Sequence, residues 1–188
     1  MSNLSIFVRT IRSRSIEHKT AMNLLAEAGL AGQMIAILRQ ELDSMVRVIY
    51  LITQSPERRE VLIDALIRGE KWTREGTRAK ITDREMVDLA QGLQGWTKSV
   101  YKFGCAFIHL SHLHDYNDSD PMDHLPRDER CDIIDHCRFY HGGPAVGDER
   151  FADLVPYLPN VLDKISGNLE CYLETLESGN IQEPHEVW

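Results

Sequence analysis

The sequence predicts an all-α protein, a single-domain bundle of five to seven helices with its long helices antiparallel. Apolar residues recur at helical spacing along nearly the whole chain. No segment alternates convincingly as a strand does, and helix-start and helix-stop signals cut the chain into helix-sized pieces. The 188 residues suffice for one domain with a proper core and are too few to suggest two. The expected domain covers residues 1–180, with a C-terminal tail at 181–188.

The first helix is expected over about residues 3–28, where Leu4, Phe7, Val8 and Ile11 share one side, and Gly29 and Gly32 loosen the chain behind it. A second helix runs over about 31–53. Its wheel places Met34, Ile35, Leu38, Leu42, Met45, Val46, Ile49 and Ile52 on one broad face. Ser55-Pro56 opens a third, with serine as N-cap and proline at the first helical position, and it closes near Gly69. Residues 70–81 read as a charged connector. Thr82 to Glu85, "TDRE", is a capping box that starts the next helix. Gly92 and Gly95 interrupt it, and a second piece continues from 96 to about 112. The stretch 113–126 is a loop by composition, and 127–141 is a helix closed by Gly142-Gly143. A short helix is expected near 148–156, and the last long one runs from Pro159 to near Gly179.

Composition narrows the function classes. Apolar residues make up 43% and charged residues 27%, a globular balance, and no apolar run approaches the ~20 residues that cross a bilayer. No membrane role is expected. Cys105, Cys131, Cys137 and Cys171 form no CxxC pair and no dense framework, which suits thiols buried as small core residues in a reducing, cytoplasmic setting. The formal charge of −8 argues against broad nonspecific nucleic-acid binding. It is unevenly placed: residues 1–84 hold 14 Lys and Arg against 10 Asp and Glu, and residues 85–188 hold 7 against 19. A phosphate-binding surface therefore belongs in the N-terminal half or in a local pocket of charge, and a basic protein partner suits the acidic C-terminal half.

The segment "YKFGCAFIHLSHLHDYNDSD", residues 101–120, carries the candidate chemistry. Treated as helical from Trp96 to Tyr116, it places Trp96, Val100, Phe103, Phe107 and Leu110 on a core face. Lys102, Cys105, His109, His112 and Tyr116 fall nearly opposite, at spacings of 3 and 4. His109 and His112 are thus expected to face solvent, a loop or another chain. Three readings follow. The stripe is a hydrated surface; or His109, His112, His114 and Asp115, with His124 nearby, ligate a divalent metal; or the histidines do proton chemistry. The spacing is not HExxH, and "DYNDSD" lacks the glycine and terminal glutamate of a calcium loop. On 127–141, Asp132 and His136 are spaced for an i,i+4 ion pair, with Arg138 and His141 close by. In the second helix, Arg39, Asp43 and Arg47 form a charge ladder on the flank away from the core face. Glu41, at the edge of the apolar strip, demands a cationic or hydrogen-bonding partner, because an unpaired buried charge is costly.

Two of these segments together resemble the HEPN superfamily of small helical domains, many of them ribonucleases of toxin and defence systems. Arg39 and Asp43 in "ILRQELDSMVRVIYLI" are similar to an R-x-x-x-D/E segment of one branch. Tyr101, Lys102 and His109 in "YKFGCAFIHLS" are similar to a tyrosine, a basic residue and then a histidine on a later helix. The family's signature has an arginine four to six residues before the histidine; here the basic residue is Lys102, with six residues between it and His109. The resemblance implies a cytoplasmic homodimer paired across the histidine helix that cleaves RNA without a cofactor. It implies His109 as the proton-transfer residue, Lys102 or Arg39 as the phosphate-stabilising cation, and Tyr101 and Asp43 as members of the same site. A metal-dependent hydrolase and a non-catalytic interaction module remain the alternatives.

Overall fold

The computed structural model describes residues 2–180; the expected tail at 181–188 lies outside them. Among the described residues the fold is all-α, with seven helices of 12 residues or more and one single turn: α1 (Asn3–Glu27), α2 (Ala31–Ile52), α3 (Pro56–Ile67), α4 (Asp83–Gln94), α5 (Thr97–Ile108), α6 (Arg127–His141), the turn α7 (Phe151–Leu154) and α8 (Leu158–Glu177). None of these helices is long and apolar enough to cross a membrane.

The local signals operate as their chemistry requires. Ser55 accepts the Arg58 N–H at 3.3 Å at the start of α3. Thr82 and Glu85 exchange both bonds of the capping box. Gly95 ends α4 and Gly142 ends α6 in the left-handed region, at φ 71° and 82°. Gly92, by contrast, stays inside α4. The connector 70–81 is more structured than its charge suggests. Thr73 and Lys80 form an isolated antiparallel bridge, and the Trp72 indole N–H donates to Leu62 O at 2.7 Å from a buried position.

The described residues pack as two compact units. One is drawn from 2–17, 42–98 and 166–180, the other from 18–41 and 99–165, and α1, α2 and α8 each contribute a stretch to both. In the first, Phe7, Val8, Leu42, Ile49, Met86 and Leu173 are buried. In the second, Met22, Met34, Leu38, Phe107, Phe151 and Ile165 are. Aromatic rings knit the second core: Phe107 stacks on Phe151 at 5.7 Å, and Tyr116 meets both.

Helix α2 departs most from its expected role. All eight residues of the expected core face are buried, but so are Ile37, Val48 and Leu51 on other sides, and with them Arg39, Glu41 and Ser44. Burial thus reaches round most of the helix, and the charge ladder is no simple surface flank: Arg39 is only 6% exposed, and Asp43 and Arg47 are half-buried. The cysteines also differ from expectation. All four are free, but only Cys137 is buried, while Cys131 and Cys171 are exposed. Burial pushes the Cys137 thiol up to about 11.

Because α2 is enclosed, Leu42→Ala is expected to cost roughly 2–5 kcal/mol in urea unfolding through the transfer and cavity terms. Thr82→Ala, which removes only a cap at an exposed helix start, is expected to cost about 1 kcal/mol.

Candidate functional site

The site is built on two helix segments 62 positions apart in sequence, both within the second unit. Arg39 of α2 lays its guanidinium over the Tyr101 ring of α5, 4.2 Å from the ring centroid. The approach is close because position 104 is glycine: a Cβ there would stand 2.6 Å from Arg39 Cβ and 3.2 Å from its Cγ. Desolvation raises the Tyr101 phenol above its ordinary value. The Cys105 thiol raises it further, and the Arg39 charge partly opposes both. Arg39 and Tyr101 are therefore in direct contact. The buried guanidinium, however, is placed to hold the helix pair and not to meet a ligand. Asp43 lies one turn further along α2, half-buried, and accepts from Arg47 Nε at 3.1 Å. Arg47 also reaches Asp83 at 2.8 Å and lies over the Trp72 ring at 5.5 Å, so this part of the ladder ties elements of the first unit together.

The expected helix from Trp96 to Tyr116 stops sooner. Regular helix ends at Ile108, and His109 N–H still donates to Cys105 O at 3.1 Å in the helical pattern. Ser111 then turns the chain. Its hydroxyl donates to Ala106 O at 2.7 Å and accepts from Leu113 N–H, opening a 3₁₀ turn over His112–Asp115. The break moves residues off their expected faces. Leu110, expected in the core, is 95% exposed, while Leu113 is buried in its stead. Lys102, Cys105 and His109 keep a common face on α5, but His112 and Tyr116 are no longer on that helix.

The histidines consequently part company. His109 is exposed at the end of α5. His112 is exposed and meets His124 edge-on, with ring centroids 4.8 Å apart, and His124 Nε2 lies 2.9 Å from Ser119 Oγ. His114 is half-buried, and its ring closes the turn: Nδ1 accepts from Ser111 N–H at 3.3 Å, and Nε2 donates to Phe107 O at 3.2 Å. With both nitrogens engaged, His114 offers no lone pair to a metal. Among the described residues no three His, Cys, Asp or Glu side chains converge as a ligand set, so the grouping of His109, His112, His114 and Asp115 is not assembled.

Three residues important to this geometry, His18, Gly104 and Glu129, escaped the sequence reading. Glu41 finds its required partner in His18, whose Nδ1 is 2.6 Å from Glu41 Oε2, with the carboxylate wholly buried. Gly104 carried a legible signal, because glycine inside a helix costs about 1 kcal/mol relative to alanine and marks a close backbone approach. Glu129 of α6 carried none: it reaches Lys102 Nζ at 2.5 Å from 27 residues away.

The far end of α6 forms a second cluster. His136 stacks with Tyr140 at 4.6 Å and lies 5.7 Å from His141. Burial lowers both imidazoles, and the Lys164 charge lowers them further, His141 adding to the effect on His136. Arg138 is a brace for the following loop, donating to Pro144 O at 3.0 Å and Ala145 O at 2.8 Å.

No protein-family model matches the sequence, and no curated protein and no solved structure is recognisably similar to it.

Gly104→Ala is expected to push Arg39 off its seat and cost about 1–3 kcal/mol as an overpacking change. Urea midpoints check this, and Gly92→Ala, where a Cβ meets nothing within 4 Å, serves as the comparison. For His136 and His141, a depressed folded pKa means that the unfolded chain binds protons more readily. Their contribution to stability is therefore complete above the unfolded value of about 6.5 and erodes as pH falls below it. A His136→Gln/His141→Gln variant is expected to show a shallower loss of stability between pH 7 and 5 than the parent in denaturant titrations.

Proposed function

We propose that this chain is a HEPN-like, metal-independent endoribonuclease acting as a homodimer, with His109 as its proton-transfer residue. One observation carries the reading. The two segments that resemble the family, far apart in sequence, meet through the Arg39–Tyr101 contact, and that contact leaves Lys102 and His109 on the outward face of α5. They stand seven positions apart, about 10 Å along the helix axis, a spacing that lets the two side chains flank one phosphodiester.

In this mechanism His109 accepts the ribose 2′-hydroxyl proton. The 2′ oxygen bonds to phosphorus as the bond to the 5′ oxygen breaks. The protonated His109 of a second copy delivers a proton to that leaving oxygen, and the products are a 2′,3′-cyclic phosphate and a 5′-hydroxyl. Lys102 offsets the charge that builds on the phosphoryl oxygens. Arg39 acts at one remove, holding α5 through Tyr101 and Gly104, since its own guanidinium is enclosed. A second reading, a non-catalytic interaction module, draws on Leu110, Phe139 and Val146, each of which exposes most of its apolar surface.

The test is cleavage of a labelled single-stranded RNA by protein purified without a polyhistidine tag, with and without EDTA. Proton-transfer residues typically contribute 10²–10⁴-fold, so His109→Ala is expected to lose at least about 100-fold in rate while EDTA changes nothing. Cleavage abolished by EDTA, or undiminished in His109→Ala, contradicts the proposal. Absence of cleavage in every preparation favours the interaction module.

A further inference from the structure

The cation that this reading assigns to the phosphate is already occupied. Lys102 Nζ lies 2.5 Å from Glu129 Oε2 across the space between α5 and the first turn of α6, within the same unit. The two partners differ in their surroundings. The lysine side chain is 67% exposed, whereas the glutamate side chain is 15% exposed and its second oxygen, Oε1, is buried and accepts no hydrogen bond among the described residues. Glu129 thus has a single hydrogen-bond partner, and Lys102 has the freedom to leave it.

We propose that Glu129 is an autoinhibitory residue that masks Lys102 and competes with the phosphate of an incoming RNA for its ammonium group. The inference rests on the reading of the α5 face as a ribonuclease site. An arriving phosphate must displace the carboxylate, and displacement leaves a mostly buried charge without its counterion, an arrangement that is costly. The pair therefore sets a threshold: a weakly held anion leaves Lys102 with Glu129, and only a ligand with further contacts draws it away. An acidic cap over the phosphate-binding group also accounts for how a chain of net charge −8 keeps a cationic foothold for RNA without binding polyanions at large. Because the lysine end of the pair is well exposed, solvent offsets much of its worth, and its release corresponds to a change of about a few-fold in affinity.

The test is a double-mutant cycle on the full chain, read as binding of a fluorescent, 2′-O-methylated single-stranded RNA that cannot be cleaved, together with the reactivity of the Lys102 amine toward reductive methylation measured by mass spectrometry. Glu129→Gln is expected to tighten binding about threefold and to raise Lys102 methylation by a similar factor. In a Lys102→Met background the same substitution is expected to change binding by nothing, which separates release of Lys102 from a general loss of negative charge. Asp128→Asn, which removes one charge from the same turn of α6 without touching Lys102, supplies the comparison. Equal gains from Glu129→Gln and Asp128→Asn, or a gain that persists with Lys102→Met, overturn the proposal. Unchanged Lys102 methylation in Glu129→Gln overturns it too. If methylation rises and no variant binds RNA, the mask stands as a contact, and the ribonuclease reading and the inhibitory role built on it fall.

Discussion

The stacking of Arg39 on Tyr101 is the contact from which the rest of the candidate site follows. A guanidinium drawn out of water needs a compensating surface. The ring face supplies one, and the glycine at position 104 lets the aliphatic stem lie flush against α5. That seating fixes the roll of α5 about its own axis, because Tyr101 and Gly104 must both face α2 while Phe107 enters the core. With those positions committed inward, Lys102, Cys105 and His109 have only the outward side left. The polar stripe is a consequence of packing before it is anything functional.

Much of the fold was legible because its signals are local. Ser55-Pro56, the Thr82–Glu85 box and the glycines at 95 and 142 each act within a few residues, and their geometry follows from backbone groups that need partners wherever the helix sits. The apolar face of α2 was equally plain. What its wheel did not convey is that Arg39 is covered as well, since it read as part of a surface ladder, or which residue answers the demand of Glu41 for a partner. Those partners, Tyr101 and His18, come from distant positions that no local pattern ties to α2.

The histidine segment shows where periodicity misleads. Extending one helix from Trp96 to Tyr116 put Leu110 in the core and aligned His109 with His112. A serine then competed for the backbone: the Ser111 hydroxyl bonds to Ala106 O and to Leu113 N–H, ends the helix and restarts it as a 3₁₀ turn. The shift in phase turns Leu113 inward in place of Leu110 and recruits His114 as a structural plug against Phe107. His109 keeps its outward aspect because it precedes the break. The same residues thus lose their standing as a metal set while His109 stays exposed at the end of α5, and α6 supplies Lys102 with a partner, Glu129, that only the folded arrangement reveals.

The most direct measurement of the central claim is a stability double-mutant cycle between Arg39→Met and Tyr101→Leu, followed by urea unfolding. If the guanidinium–ring contact seats α5, the two substitutions are expected to couple by about 1 kcal/mol or more, each alone costing nearly as much as both together. Strictly additive losses would mean that the two side chains are held independently, and the outward placement of Lys102 and His109 would then need another cause.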